Sequence, residues 1–472
     1  MRFPISRKIT ITHHNKKNSL KYIRSSVSVL ALIMGTTLTA QAQEVSFDTT
    51  TPGGTTLNLN VPSGSFLSNQ PDFTVTNLLN VRHVVINGGG NVDFDGQISG
   101  LYFGLGTYAG HLKSIDIENG VLSPYYSLGD YNNNPPDLTL GHKGILDLQN
   151  SKIGDIGNLH GDGTITLWKD KYLNVVGDNS VFSGNISSVD PYTDMSSYPS
   201  YGDLHGGDLS IDKSSAIFSG KYADLTAAKI NDVALLCFSG TENSTAPILQ
   251  TSNNYIRNNS AINVSEVLIA TGVDEGEKPS SPIKTNAAVI VKDNNTRVNA
   301  NQLVIGEQRS NYALKMNLDG TLPDYPTMTG SPGWGRVEGH ASGTLYITNG
   351  AIINLSDGGT NGGIYLGNSA GFGPDVRYEH NPRNGEPKAF LDGSGDGTIH
   401  ITGDDVSYDE EGKIVQTGGH QGGTLNVTGG ALWIGPVNLT DTTAGPASGL
   451  ITVDHGGQLN LKNSFIVLGG QN

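Results

Sequence analysis

Apolar and polar residues alternate in short bursts along most of this chain. In GGTLNVTGGALWIG (422–435), Leu425 and Val427 alternate with Thr424, Asn426 and Thr428. A two-residue period puts the apolar pair on one face of a strand and the polar set on the other. Gly429-Gly430 breaks that strand, and Leu432 and Ile434 start a second one that ends at Gly435-Pro436. The scheme returns in GTLYITNGAIINL from Gly343, GTIHITGDD from Gly397 and GLITVDHGGQLNL from Gly449. Starts at Gly343, Gly397, Gly423 and Gly449 lie 54, 26 and 26 residues apart, which reads as a unit of about 27 residues. The unit at Gly343 holds three strands, each with two inward residues: Leu345 and Ile347, Ile353 and Leu355, Ile364 and Leu366.

Equivalent strands recur one unit apart, and two-residue Asn-Gly or Asp-Gly hairpins are nearly missing from the units. Both features favour stacked coils over hairpin sheets. The predicted fold is all-β, a right-handed parallel β-helix (a solenoid) with projecting loops; a β-sandwich array is the competing architecture. Coils of 20 to 27 residues predict about 16 to 20 of them, a rod of roughly 80 to 95 Å at the spacing of paired strands. Coils over 43–286 read as irregular and those over 287–472 as more regular. AAVIVKDNNTRVNANQLVIGE (287–307) keeps the strand rhythm, and the FSG of 161–187 returns at Phe218 and Phe238.

The first 42 residues follow another pattern. Arg2, Arg7, Lys8, Lys16, Lys17, Lys21 and Arg24 stand without any acidic residue, then come the apolar run SVSVLALIMGTTLTA and Ala40-Gln41-Ala42. Basic, apolar and then small-x-small is the layout of a secretory signal peptide cleaved after Ala42, here with an extended basic region. The apolar run is short for a membrane span. The whole chain has 29 Lys+Arg and 44 Asp+Glu, and losing the signal removes seven bases and no acids, so the mature part carries 22 against 44. That acidity argues against nucleic acid as a partner. One cysteine, Cys237, sits in VALLCFSG, so no intrachain disulfide forms; it reads as a buried small hydrophobe. Gly is abundant at 63 of 472 residues and charged residues make up only 15 %, consistent with a core of short strands and turns.

GDGTITL…LNVVGDNSVFSGNI (161–186) and the Gly-Thr-Leu units at 343–470 resemble the repeats of bacterial autotransporter passenger domains. The resemblance covers about residues 85 to 472. It implies export by the Sec machinery, passage through the outer membrane of a Gram-negative bacterium by a C-terminal β-barrel translocator, and a place at the cell surface or outside the cell. No barrel-like run of alternating segments follows VLGGQN, so the sequence reads as a passenger without its translocator. The expected role is adhesion or aggregation against surface glycans or proteins. Two other readings stay open: a secreted polysaccharide lyase or hydrolase, and a truncated remnant.

Loops rich in Tyr, Asn and Pro carry the expected binding residues Tyr125, Tyr126, Tyr192, Tyr201 and Trp334, which suit stacking on sugars or partner surfaces. Catalytic patterns are thin. Asp93 and Asp95 would share a strand face but read as a solvent-facing pair. Asp404, Asp405, Asp409 and Glu410 read as a solvated acidic loop with weak Ca²⁺ binding as the alternative, and DGSGDGTI (392–399) as a single copy of a Ca²⁺-loop pattern that works only in tandem. His160 and His205 read as repeat-related turn residues. No G-x-S-x-G or H-E-x-x-H pattern occurs, so no catalytic residue, cofactor or metal is expected. Trp168, Trp334 and Trp433 form no spacing code; Trp433, between Leu432 and Ile434, is expected to point outward.

Overall fold

The structure is a computed structural model that describes residues 44–50, 55–68, 81–94, 112–124, 135–148, 154–168, 171–189, 214–239, 251–274, 283–310, 337–356, 363–368, 378–380, 387–389, 391–419, 421–438 and 447–471. The described residues are strands, turns and bends, without a helix. Within the unit Glu44–Asn472 the strands wind into a parallel β-helix with three ladders, here A, B and C.

Ladder A starts at Thr55–Asn60 and runs, strand on parallel strand, to the Gly449–Val453 stretch of Ala447–Val453. One inward column reads Leu59, Ile86, Ile117, Leu140, Gly161, Phe182, Leu225, Ile256, Val291, Ile347, Ile401, Val453. Ladder B gives Leu67, Val92, Leu122, Leu146, Ile165, Ile186, Ile230, Ile262, Val298, Ile353, Leu425, Leu459. Ladder C begins, among the described residues, at Gly154–Ile156 and carries Ile156, Val175, Phe218, Phe238, Ile269, Ile305, Leu366, Ile434, Leu468 inward. Alternation on each strand thus stacks into continuous columns, and the three columns form one core. Phe218 and Phe238, two of the three FSG phenylalanines, stack at 5.6 Å between centroids.

The ends differ. Glu44–Asp48 lies antiparallel on Thr55–Asn60 and covers the first edge, whereas Ile466 and Leu468 of the last described coil stand 51 % and 70 % exposed.

The coil length departs from the expected 27 residues. Gly343 pairs with Gly397 and Gly397 with Gly449, so 54 and 52 residues each make one coil, not two. The copy at 424–428 belongs to ladder B, between Ile352–Ser356 and Gln458–Lys462. The same small-residue start and two-residue period serves more than one wall, so similarity between segments did not mean equivalence around the coil. The three strands expected in the unit at Gly343 do form ladders A, B and C of one coil. Ladder A holds twelve strands, about 53 Å at ~4.8 Å per step, against the 16 to 20 coils expected. Coil length is most constant earlier, where Leu140, Gly161 and Phe182 follow one another at 21 residues.

Gly161 shows how tightly these short coils fit. Its φ is +99°, and a Cβ there would run into the carbonyl oxygen of Leu140. It stands in the inward column directly before Phe182, whose ring is fully buried.

Candidate binding surface

The outward face of ladder B carries a single column of identical side chains. Asn231, Asn263, Asn299, Asn354, Asn426 and Asn460 fall in register, one per coil. Each later Asn donates from Nδ2 to Oδ1 of the one before: Asn263 to Asn231 at 2.7 Å, Asn299 to Asn263 at 2.6 Å, Asn354 to Asn299 at 2.8 Å, Asn426 to Asn354 at 2.8 Å, Asn460 to Asn426 at 2.9 Å. Asp147, Thr166 and Ser187 hold the same column in earlier coils. Parallel in-register stacking brings like side chains within amide hydrogen-bond reach, and each amide keeps a second N–H and oxygen lone-pair capacity.

Where ladder B turns into ladder C, a recess of about 270 Å³ opens beside this column. Exposed or half-exposed Asp232, Asn263, Ser265, Asn299, Asn301 and Ser356 line its rim, and buried Val233, Ala234, Val264 and Ala300 its base. Asp232 occupies a bulge, with a register shift between Asn231 and Val233 and a φ of +59°.

A second outward surface is covered. On ladder A, Asp224, Tyr255, Ile290, Tyr346 and His400 form one outward column. Strands Asp405–Tyr408 and Ile414–Thr417 pair antiparallel as a hairpin and pack against it. Val406 is fully buried there. Tyr408 donates its hydroxyl to the carbonyl of Ala288 at 3.0 Å and its backbone N–H to the Tyr255 hydroxyl at 2.8 Å, with the two rings edge to face at 5.0 Å. Lys292 Nζ meets Asp405 Oδ1 at 2.6 Å, and Asn253 donates to the carbonyl of Gly412 at 2.9 Å. Burial pushes the Tyr408 hydroxyl well above its ordinary value, and burial together with Asp224 pushes Tyr222 up to about 12. Asp224 itself takes a two-pronged contact from Arg257, at 3.0 Å to Nε and 2.5 Å to Nη2, and the guanidinium lies 4.7 Å over the Tyr255 ring.

The acidic stretch 404–410 is therefore not a solvated loop. Asp405 is held by Lys292, Asp404 faces His455 at 3.1 Å, and Asp409 accepts from the backbone of Glu411 and Lys413 to close the hairpin turn. DGSGDGTI likewise lies in strand Leu391–Ile401, in register with Val337–Ile347, and Ser448 donates to Asp396. A Ca²⁺ loop needs a turn at that point. Among the described residues no three His, Cys, Asp or Glu side chains gather as a metal site.

Trp433 points outward as expected, in register with Tyr365 and stacked on it at 6.3 Å. Cys237 is fully buried, also in an outward column of ladder C beside Ile217 and Leu268. His160 pairs in ladder A with Thr139 and Val181, on a strand and not in a turn. Asp93 pairs in ladder B with Ser68 and Ser123, while Asp95 lies outside the described residues. So do Ala40, Ala42, Tyr125, Tyr126, Tyr192, Tyr201, Trp334 and His205.

The amide column was visible in the sequence as the Asn of KIND, AINV, RVNA, IINL, TLNV and QLNL. It escaped notice because these segments are 32 to 72 residues apart, and only the register aligns them. No family model, no curated protein and no solved structure matches the chain.

Proposed function

We propose that the chain is the exported passenger of an autotransporter-like system in a Gram-negative bacterium, acting by adhesion at the cell surface or in the medium and not by catalysis. The basic-apolar-Ala-Gln-Ala start supports Sec export, and the Gly-Thr-Leu units support the passenger resemblance. The observation that carries the adhesive role is the outward Asn column from 231 to 460. Its amides repeat at strand spacing on a rigid face, so weak contacts to a repetitive surface add by multivalency. A β-barrel translocator, on this chain or another, would complete the pathway.

The test uses the native host. Intact cells are treated with an external protease and probed for the chain, and wild-type and deletion cells are compared for attachment to coated surfaces. Protease-sensitive protein, or protein in the medium, with attachment lost on deletion is the expected result. Protein confined to the cytoplasm would overturn the proposal.

A further inference from the structure

The recess beside the amide column is a built feature that general stickiness does not need. Ala234, Ser265, Asn301 and Ser356 hold equivalent corner positions on successive coils, next to the register pairs Val233–Val264 and Ala300–Leu355. Four such positions span about 14 Å along the axis at ~4.8 Å per step. The rim offers amides from Asn263, Asn299 and Asn301, hydroxyls from Ser265 and Ser356, and the Asp232 carboxylate; no Lys or Arg lines it.

We propose that this recess binds a short neutral oligosaccharide laid along the β-helix axis. The proposal deepens, and rests on, the adhesive reading above. A sugar hydroxyl both donates and accepts, as do the neutral amides and hydroxyls of the rim. Asn263 and Asn299 each use one Nδ2 hydrogen on the preceding Asn, which leaves the other hydrogen for a ligand. Their mutual bonds also fix the side chains before binding, so little rotamer freedom remains to be lost. The buried aliphatic base meets the C–H face of a pyranose ring. Asp232 accepts strongly from a hydroxyl and repels an anionic ligand, which excludes sulfated or uronic chains and phosphates.

The test is calorimetric titration of the full chain with cellohexaose, maltohexaose and xylohexaose, with dextran sulfate and polygalacturonate as acidic comparators. Ser265→Trp fills the rim, Ser356→Tyr does so from an exposed position, Asn299→Ala removes one amide, and Asn460→Ala alters the same column outside the recess. Circular dichroism shows which variants fold. The proposal expects at least one neutral hexasaccharide to bind. Ser356→Tyr and Asn299→Ala should weaken it by about tenfold or more, Ser265→Trp likewise if folded, with Asn460→Ala unchanged and no binding of the polyanions. Failure of all three neutral probes, a preference for a polyanion, or binding indifferent to both Ser356→Tyr and Asn299→Ala would overturn it. Cells carrying Ser356→Tyr separate the two readings: attachment that persists with no sugar binding sinks the recess alone and leaves adhesion standing.

Discussion

Asn354 donates from Nδ2 to Oδ1 of Asn299 at 2.8 Å although 55 residues of chain separate them. It also accepts from Asn426 at 2.8 Å, so one exposed side chain ties three coils. Asn354→Asp keeps the acceptor for Asn426 but loses the donor and places a carboxylate against the Asn299 oxygen. Two exposed hydrogen bonds contribute on the order of 1 kcal/mol together, and urea unfolding should show a loss of about that size at pH 7. Below about pH 4 the introduced carboxyl regains a proton and part of the loss should disappear. An equal loss at pH 3 and pH 7 would argue that the amide column adds no stability.

The hairpin at 405–417 returns across the faces of preceding coils to reach Asn253, Tyr255 and Ala288. Truncating Tyr408, a buried aromatic, to Ala should destabilise the hairpin by about 3 to 5 kcal/mol. Hydrogen exchange is expected to accelerate over 405–417 while the inward columns of ladder A stay protected. Exchange rising evenly through ladder A instead would mean that the hairpin and coils open as one unit.

Alkali should loosen the same region. Tyr222 is raised from 10.0 to about 12 and Tyr408 well above 10.0 in the folded protein. Folding therefore favours their neutral forms. The stability this gives is fully present below about pH 10, the unfolded value, and is lost as pH rises toward and through about 12. Thermal midpoints measured from pH 9 to 12 should fall, and Tyr222→Phe with Tyr408→Phe should flatten the decline. An unchanged slope in the double variant would assign the decline to other groups.

Gly161→Ala tests the short coils. The added Cβ meets the Leu140 carbonyl at a positive φ, so the backbone must shift against the buried Phe182 ring. A loss above about 2 kcal/mol is expected in denaturant unfolding, combining overpacking with backbone strain. Asn179, exposed one coil along and bonded through its backbone to Asn158 at 2.8 Å, should tolerate Ala within about 0.5 kcal/mol.

The fold class was readable because alternation is local. Leu425 and Val427, or Ile353 and Leu355, need only their own strand to declare which face is apolar. Glycine breaks and recurring units then made stacked coils the economical solution, and the outward placement of Trp433 followed from parity alone. The register was not readable. TLNVT and GTLYI look alike, yet they build different walls, since strand period carries no label for position around a coil. Insertions stretch single coils from 21 to 56 residues, so sequence spacing could not count them.

The candidate surface divides along the same line. Local alternation determined that each Asn of the column would face outward. Bringing six of them into one hydrogen-bonded file, opening a recess beside it and seating an acidic segment as a hairpin on Tyr255 each required packing between residues far apart in the chain. Side-chain parity is set by neighbouring peptides, but adjacency across coils is set by how every intervening loop closes, and that is a property of the folded whole.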